Sequence, residues 1–133
     1  MSLAESRLEI RVRYCECDPM GVVHHTVYPV WFEMGRTELL RESGKSYRDF
    51  EAEGVFLAVV SLSVKYRRPA RYDDLVTLVT TLEDVGGVKI SHTYRLERDG
   101  EVLVIGETTL ACLDREGRAR PLPESLRLAA PGG

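Results

Sequence analysis

The chain has 133 residues, 44% of them apolar and 29% charged, which sets one ordinary globular domain with its own core and excludes a disordered or fibrous chain. Lys and Arg number 18 against 21 Asp and Glu, a net charge of −3, so nucleic acid is excluded as a main partner because phosphate binding needs a surplus of cations. No apolar run approaches the ~20 residues of a membrane span, the opening MSLAESRLEIRVRY lacks an export signal, and Cys15, Cys17 and Cys112 follow no disulfide framework, so a cytoplasmic protein is expected.

Leu8, Ile10, Val12 and Tyr14 alternate with Glu9, Arg11 and Arg13, the period of a strand with one covered face; Tyr14 is therefore expected in the core. Asp18-Pro19-Met20-Gly21 interrupts it with turn chemistry. From about Thr26 to Ser43 the period becomes helical, with Val27, Val30, Trp31, Met34 and Gly35 on one arc and Glu33 and Arg36 off it. Glu38 shares that arc without an evident reason. Thr26 reads as the N-cap and Gly44 as the stop, and Pro29 is tolerated in the first turn. Gly35 on the buried arc predicts a sheet approaching closely. A short second helix is expected over Ser46–Glu53.

Strands follow. Val60, Leu62, Val64 and Tyr66 alternate with polar neighbours; Leu75–Leu82 comes after turns near Pro69 and Asp73-Asp74; Gly86-Gly87 separates it from Val88–Leu96. Asp99-Gly100 predicts a hairpin into Val102–Leu113. One strand, one long helix and an antiparallel meander make an α+β arrangement, a single domain over 1–133 whose proline- and glycine-rich tail from Pro121 is expected to be loosely ordered.

The densest cluster of reactive side chains, Tyr14 to His25, lies between a strand end and a helix start. The first helical N–H groups have no intrahelical acceptor and the dipole there is positive, so a carbonyl oxygen resting on them would be stabilised as it became an oxyanion. Asp18 and His25 could supply a nucleophile or base and an orienting donor. The alternatives stay open: Asp18 closes an Asx-turn, and His24 is a surface or capping residue, since both histidines cannot face one pocket. Cys15 and Cys17 on one strand face, with Asp18, His24 and His25, form a rival metal set, but the spacing is not that of a structural zinc site, and no metal is assigned. A Cys–His nucleophile pair lacks a third, orienting residue.

Lys65, Arg67, Arg68 and Arg71 place four cations in seven residues. They suit the phosphates of a nucleotide-bearing substrate; a solvated face or a guarded edge strand is the competing reading. The chain has no glycine-rich phosphate loop and no serine elbow.

Tyr14-x-Glu16-Cys17-Asp18-x-x-Gly21-Val22-Val23-His24-His25-x-x-Tyr28, running into Trp31-Phe32-Glu33-x-Gly35-Arg36, with Tyr66-x-x-Pro69-Ala70-x-x-Asp73-Asp74 downstream, resembles the hotdog-fold acyl-CoA thioesterases. The 4-hydroxybenzoyl-CoA thioesterase-like group, including the Tol–Pal-associated branch, is most similar. The resemblance runs from about Leu8 to Arg120. It implies a five-stranded antiparallel sheet wrapped around the long helix, a homodimer with a continuous sheet, pairing into a homotetramer, and an acyl-CoA substrate without a cofactor. By position it implies Asp18 as nucleophile or as base for water, His25 as orienting group and Tyr14 as support for the aspartate. It also implies main-chain N–H groups at Val23, His24 and His25 on the thioester carbonyl, with Lys65, Arg67, Arg68 and Arg71 near the CoA phosphates. His24 replaces a more usual aromatic, Cys17 a frequent Thr, and Pro29 falls early in the helix. A hotdog dehydratase and a non-catalytic acyl-CoA binding module are the competing functions.

Overall fold

Period-two stretches build one antiparallel sheet in a computed structural model that describes residues 4–124 and 126. The order along the chain is β1 (Ala4–Arg11), a 3-10 turn (Tyr14–Glu16), α1 (Val27–Glu42), α2 (Tyr47–Ala52), β2 (Phe56–Tyr66), β3 (Leu75–Val85), β4 (Lys89–Arg98) and β5 (Glu101–Leu113). The sheet order β1-β3-β4-β5-β2 leaves β1 and β2 on the edges. Asp99 and Gly100 both take positive φ, 51° and 80°, as a two-residue turn between β4 and β5 requires. Register shifts at Val59/Ser61, Leu82/Asp84 and Leu96/Glu97 bend the strands.

The long helix lies against the sheet where Gly35 allows it. A Cβ there would fall 2.7 Å from Leu78 Cδ2 and closer still to Thr80 Oγ1, distances no side chain tolerates. Gly106 does the same beneath the Phe32 ring, which stacks on Tyr94 at 4.2 Å. Trp31, Phe32, Tyr94, Leu78, Leu96 and Leu103 are fully buried at this contact, and each large apolar side chain contributes roughly 1.5–3 kcal/mol by leaving water.

Three expectations are corrected. The buried face of α1 is Tyr28, Trp31, Phe32, Gly35, Arg36 and Leu39, while Val30 and Met34 are exposed. The closest approach at Gly35 sets the face, which turns Arg36 inward toward the Tyr94 hydroxyl, 3.5 Å away. Second, β2 does not continue into a hairpin with β3. It pairs with β5 on the far edge, so residues 67–74 cross the sheet end, with Ala70 fully buried beneath Tyr28. Third, the tail is held at its start. Leu122 and Leu126 are each 3% exposed and pack with Phe50, Val55 and Cys112, and Leu122 N–H donates to Gly87 O at 2.9 Å; the rest of that expectation lies outside the described residues.

The short helix α2 starts as its sequence requires, with Ser46 Oγ accepting from Asp49 N–H. Among the described residues no helix is long and apolar enough to cross a membrane.

Candidate active site

The strand expected to end at Tyr14 stops at Arg11, and Tyr14–Glu16 form a 3-10 turn. Glu16 causes this. Its side chain is buried and accepts from Arg13 N–H at 2.8 Å, from Trp31 Nε1–H at 2.9 Å and from the Arg13 guanidinium at 3.3 Å. Burial alone would raise the Glu16 carboxyl, but these donors outweigh it and hold it below the usual carboxylate range. The turn is thereby tied to the middle of α1, and His24 N–H, bonded to Glu16 O at 2.9 Å, ties it to the helix start. Motif spacing did not single Glu16 out for this role. The available signal was the chain's single tryptophan, whose buried N–H needs an acceptor, but that acceptor lies fifteen positions away.

The turn throws Tyr14 outward. Its ring is 80% exposed and meets Tyr72 edge-on at 5.6 Å, so the core placement is wrong, and it makes no hydrogen bond to Asp18 among the described residues. The same turn separates the two thiols expected on one strand face: Cys15 is exposed and Cys17 half-buried. Burial, then the neighbouring carboxylates, push the Cys17 thiol up, away from a nucleophilic thiolate. Among the described residues no three His, Cys, Asp or Glu side chains gather as metal ligands.

Asp18 is half-buried in a tight loop. Its Oδ1 accepts from Met20 N–H at 2.9 Å and from Val22 N–H at 3.4 Å, while Asp18 N–H donates to Val22 O at 2.8 Å. The Asx-turn is therefore present, and it uses one carboxylate oxygen. Oδ2 carries no hydrogen bond among the described residues, so the turn aims the carboxylate without consuming it. Gly21, at φ 79°, completes the loop, and bridges Cys17–Val23 and Val22–Arg71 flank it.

The crossing segment 67–74 forms the opposite wall. Val23 N–H donates to Ala70 O at 2.8 Å and Asp73 N–H to Val12 O at 3.0 Å. Arg98 clamps the segment, reaching Asp74 Oδ2 at 2.8 Å and Pro69 O at 3.3 Å, and Asp74 also accepts from Arg71 N–H. Burial opposes ionisation of Asp74, yet these donors hold it below the usual range. Where the crossing segment meets the residues leading into α1 lies a hollow of about 250 Å³ lined by His25, Tyr28, Tyr66, Arg67 and Arg68 among others, with Asp18 outside its lining. Burial pushes the Tyr28 hydroxyl up; its oxygen accepts from Ala70 N–H at 3.4 Å, and Tyr66 donates to His25 O at 3.1 Å.

His25 faces the hollow and His24 does not. The His24 ring lies tilted against His25 with centroids 4.3 Å apart, bonds Thr26 Oγ1 at 2.7 Å and accepts from Thr26 N–H at 3.2 Å. His24 is thus an exposed side chain held by Thr26, and Thr26, expected to cap, makes no side-chain cap of its own. Of the three expected main-chain donors, Val23 N–H and His24 N–H are already engaged by Ala70 O and Glu16 O, because the loop needs them to hold its shape. His25 N–H is left without a partner among the described residues. Of the four cations, Arg67 and Arg68 reach the hollow; Arg68 also pairs with Glu101 at 3.0 Å. Lys65, on β2, and Arg71, opposite Val22, are exposed outside its lining.

A family model described as the thioesterase-like superfamily matches residues 12–129. Among similar proteins, YneP of Bacillus subtilis is 38% identical over 84% of this chain and 81% of its own. The acyl-CoA thioester hydrolase YbgC of Escherichia coli O6:H1 is 33% identical over 90% and 91%. A DHNA-CoA thioesterase structure from Staphylococcus aureus superposes with TM-score 0.86 at 30% identity, covering 94% of this chain and 87% of that one.

Proposed function

The chain belongs to the thioesterase-like superfamily, and from that membership we infer an acyl-CoA thioesterase of hotdog fold in which Asp18 is the catalytic carboxylate. The observation that carries the assignment to Asp18 is its divided carboxylate, with Oδ1 held by the turn and Oδ2 unbonded.

The acyl carbonyl oxygen rests on the unpartnered His25 N–H at the start of α1, where the helix dipole adds to its stabilisation. Asp18 then acts in one of two ways on the same carbon. As nucleophile it forms a mixed anhydride and expels CoA thiolate, and water hydrolyses the anhydride. As base it takes a proton from water, whose oxygen attacks while the thiolate leaves and is protonated. Either route yields a carboxylic acid and CoA with no cofactor. The His25 ring orients the acyl group. Arg67 and Arg68 meet the CoA phosphates; Lys65 and Arg71 extend that surface.

The site works between subunits. The edge strand β2, paired with β5 on one side only, exposes Val59, Val60, Leu62 and Tyr66, and pairing with a second β2 would satisfy its free edge. We therefore propose a homodimer with a continuous sheet, two such dimers forming a tetramer. Tyr14, exposed within one protomer, supports the aspartate in that assembly. The whole chain acts as one domain. Three free cysteines support a cytoplasmic protein, and the Tyr14–Tyr28 motif supports the Tol–Pal-associated branch.

The test is release of free thiol from a panel of short, long and aromatic acyl-CoA esters. Multiple turnovers of thiol release are expected on at least one. Double-bond formation or hydration without thiol release would indicate a dehydratase, and tight binding without turnover a binding module.

A further inference from the structure

At the other end of α1 lies a second cavity, of about 370 Å³, within the ~300–1,000 Å³ range of small-molecule sites. Its polar lining includes Arg36, Tyr47 and His92, and its apolar lining includes Leu39, Leu82 and Ile90. It is remote from the Asp18 loop. Thirteen residues of helix, roughly 20 Å at 1.5 Å each, separate Thr26 from Leu39, and Trp31 and the Phe32–Tyr94 stack fill the space between.

Two features of this cavity are unexplained by folding. Arg36 is 7% exposed, yet its nearest carboxylate is that of Glu33, 3.7 Å away on a largely solvated side chain, and its other contacts are neutral hydroxyls, Tyr94 at 3.5 Å and Tyr47. A cation so withdrawn from water is ordinarily better neutralised. His92 is 4% exposed and its Nδ1 has no hydrogen-bond partner. Neighbouring Tyr94 does not help it, because the Tyr94 hydroxyl pairs with Thr108 Oγ1 at 2.5 Å. Burial, aided by the Arg36 charge, pulls His92 down to about 4, so the ring is neutral near pH 7 and one nitrogen carries a proton to donate. Burial pushes Tyr47 up to about 12, so its hydroxyl remains a donor.

We propose that this cavity binds a monocarboxylate with an apolar tail, its head on Arg36, Tyr47 and His92 and its tail along Leu39, Leu82 and Ile90. All three side chains line the cavity and can donate, and a carboxylate accepts hydrogen bonds without donating. Glu5 and Glu42 also line the cavity, and their charges disfavour a phosphate or other polyanion; Glu42 is engaged with Ser6 Oγ at 2.8 Å. A carboxylic acid is also what thioester hydrolysis releases, so the site would sense product. That link rests on the proposed function; the binding itself does not.

Octanoate serves as the probe, titrated calorimetrically into the wild-type protein and into Asp18→Asn. Saturable binding of one octanoate per chain is expected in both. The chain has three histidines, so imidazole NMR signals assign the place: octanoate should shift His92 and leave His24 and His25 unmoved. Tyr47→Phe should weaken binding by about tenfold without unfolding the chain, and octanol should bind no better than that variant binds octanoate. No saturable binding, shifts confined to His24 and His25, or equal affinity for octanol would overturn the proposal. Failure of the wild type to hydrolyse any acyl-CoA would remove the product link and leave the octanoate result standing.

Discussion

Replacing Glu16 by Gln is the sharpest probe of how the loop is held. The carboxylate accepts from Arg13 N–H and Trp31 Nε1–H through different oxygens, and a glutamine offers one oxygen and one NH2 group. Whichever way the amide turns, one donor faces another donor. Trp31 is 1% exposed, so water cannot replace the lost acceptor. Losing a hydrogen bond to a charged group costs about 1.5–3 kcal/mol, and the Arg13 guanidinium, on a side chain 70% exposed, adds little. The expected loss is about 2 kcal/mol, a fall in Tm of roughly 6–10 °C for a chain of this size. Trp31 is the only tryptophan, so its fluorescence reports the same event that thermal unfolding measures, at matched protein concentration. Thiol release should fall as well, because Asp18 and the His24 main chain depend on this turn. A Tm within about 1 °C of wild type with an unchanged Trp31 spectrum would refute the reasoning.

Gly35→Ala forces a methyl against Thr80 and Leu78 and should destabilise by about 1–3 kcal/mol; adding Thr80→Ala should return part of that loss in a double-mutant cycle. Glu16 and Asp74 are held below their ordinary values of 4.5 and 3.8, so the stability they contribute is present above those values and lost as pH falls from about 5 through the lower folded ones. Thermal scans from pH 6 to pH 3 should therefore drop less steeply for Asp74→Asn than for wild type. Arg67→Ala should raise KM for acyl-CoA by about tenfold with kcat little changed, and should not affect a pantetheine thioester that lacks the nucleotide. Arg68→Ala should do less, since Arg68 is shared with Glu101.

What the sequence reveals is what neighbouring residues decide. The Asp99-Gly100 turn, the short helix behind Ser46 and the close approach at Gly35 all follow from local chemistry and appear as expected. The misreadings share a non-local cause. Tyr14 keeps the period of a strand, but Glu16 reaches Trp31 across the fold and turns it outward. The apolar Val30 and Met34 are as suited to a core as Trp31, and only the position of the sheet exposes them. The placement of β2 beside β5 depends on a crossing whose anchors, Ala70 beneath Tyr28 and Arg98 on Asp74, come from distant segments. The candidate site is legible as a set of residue types, whereas the donors the loop has already used are visible only once it is folded.

The central claim, that an ionised Asp18 performs the chemistry, is tested most directly by the kcat of Asp18→Asn. Asparagine can still close the turn on Met20 N–H, so the circular dichroism and assembly size should match the wild type. Under those conditions acyl-CoA hydrolysis should fall by about 10³-fold or more. A folded variant that turns over within a few-fold of wild type would contradict the account.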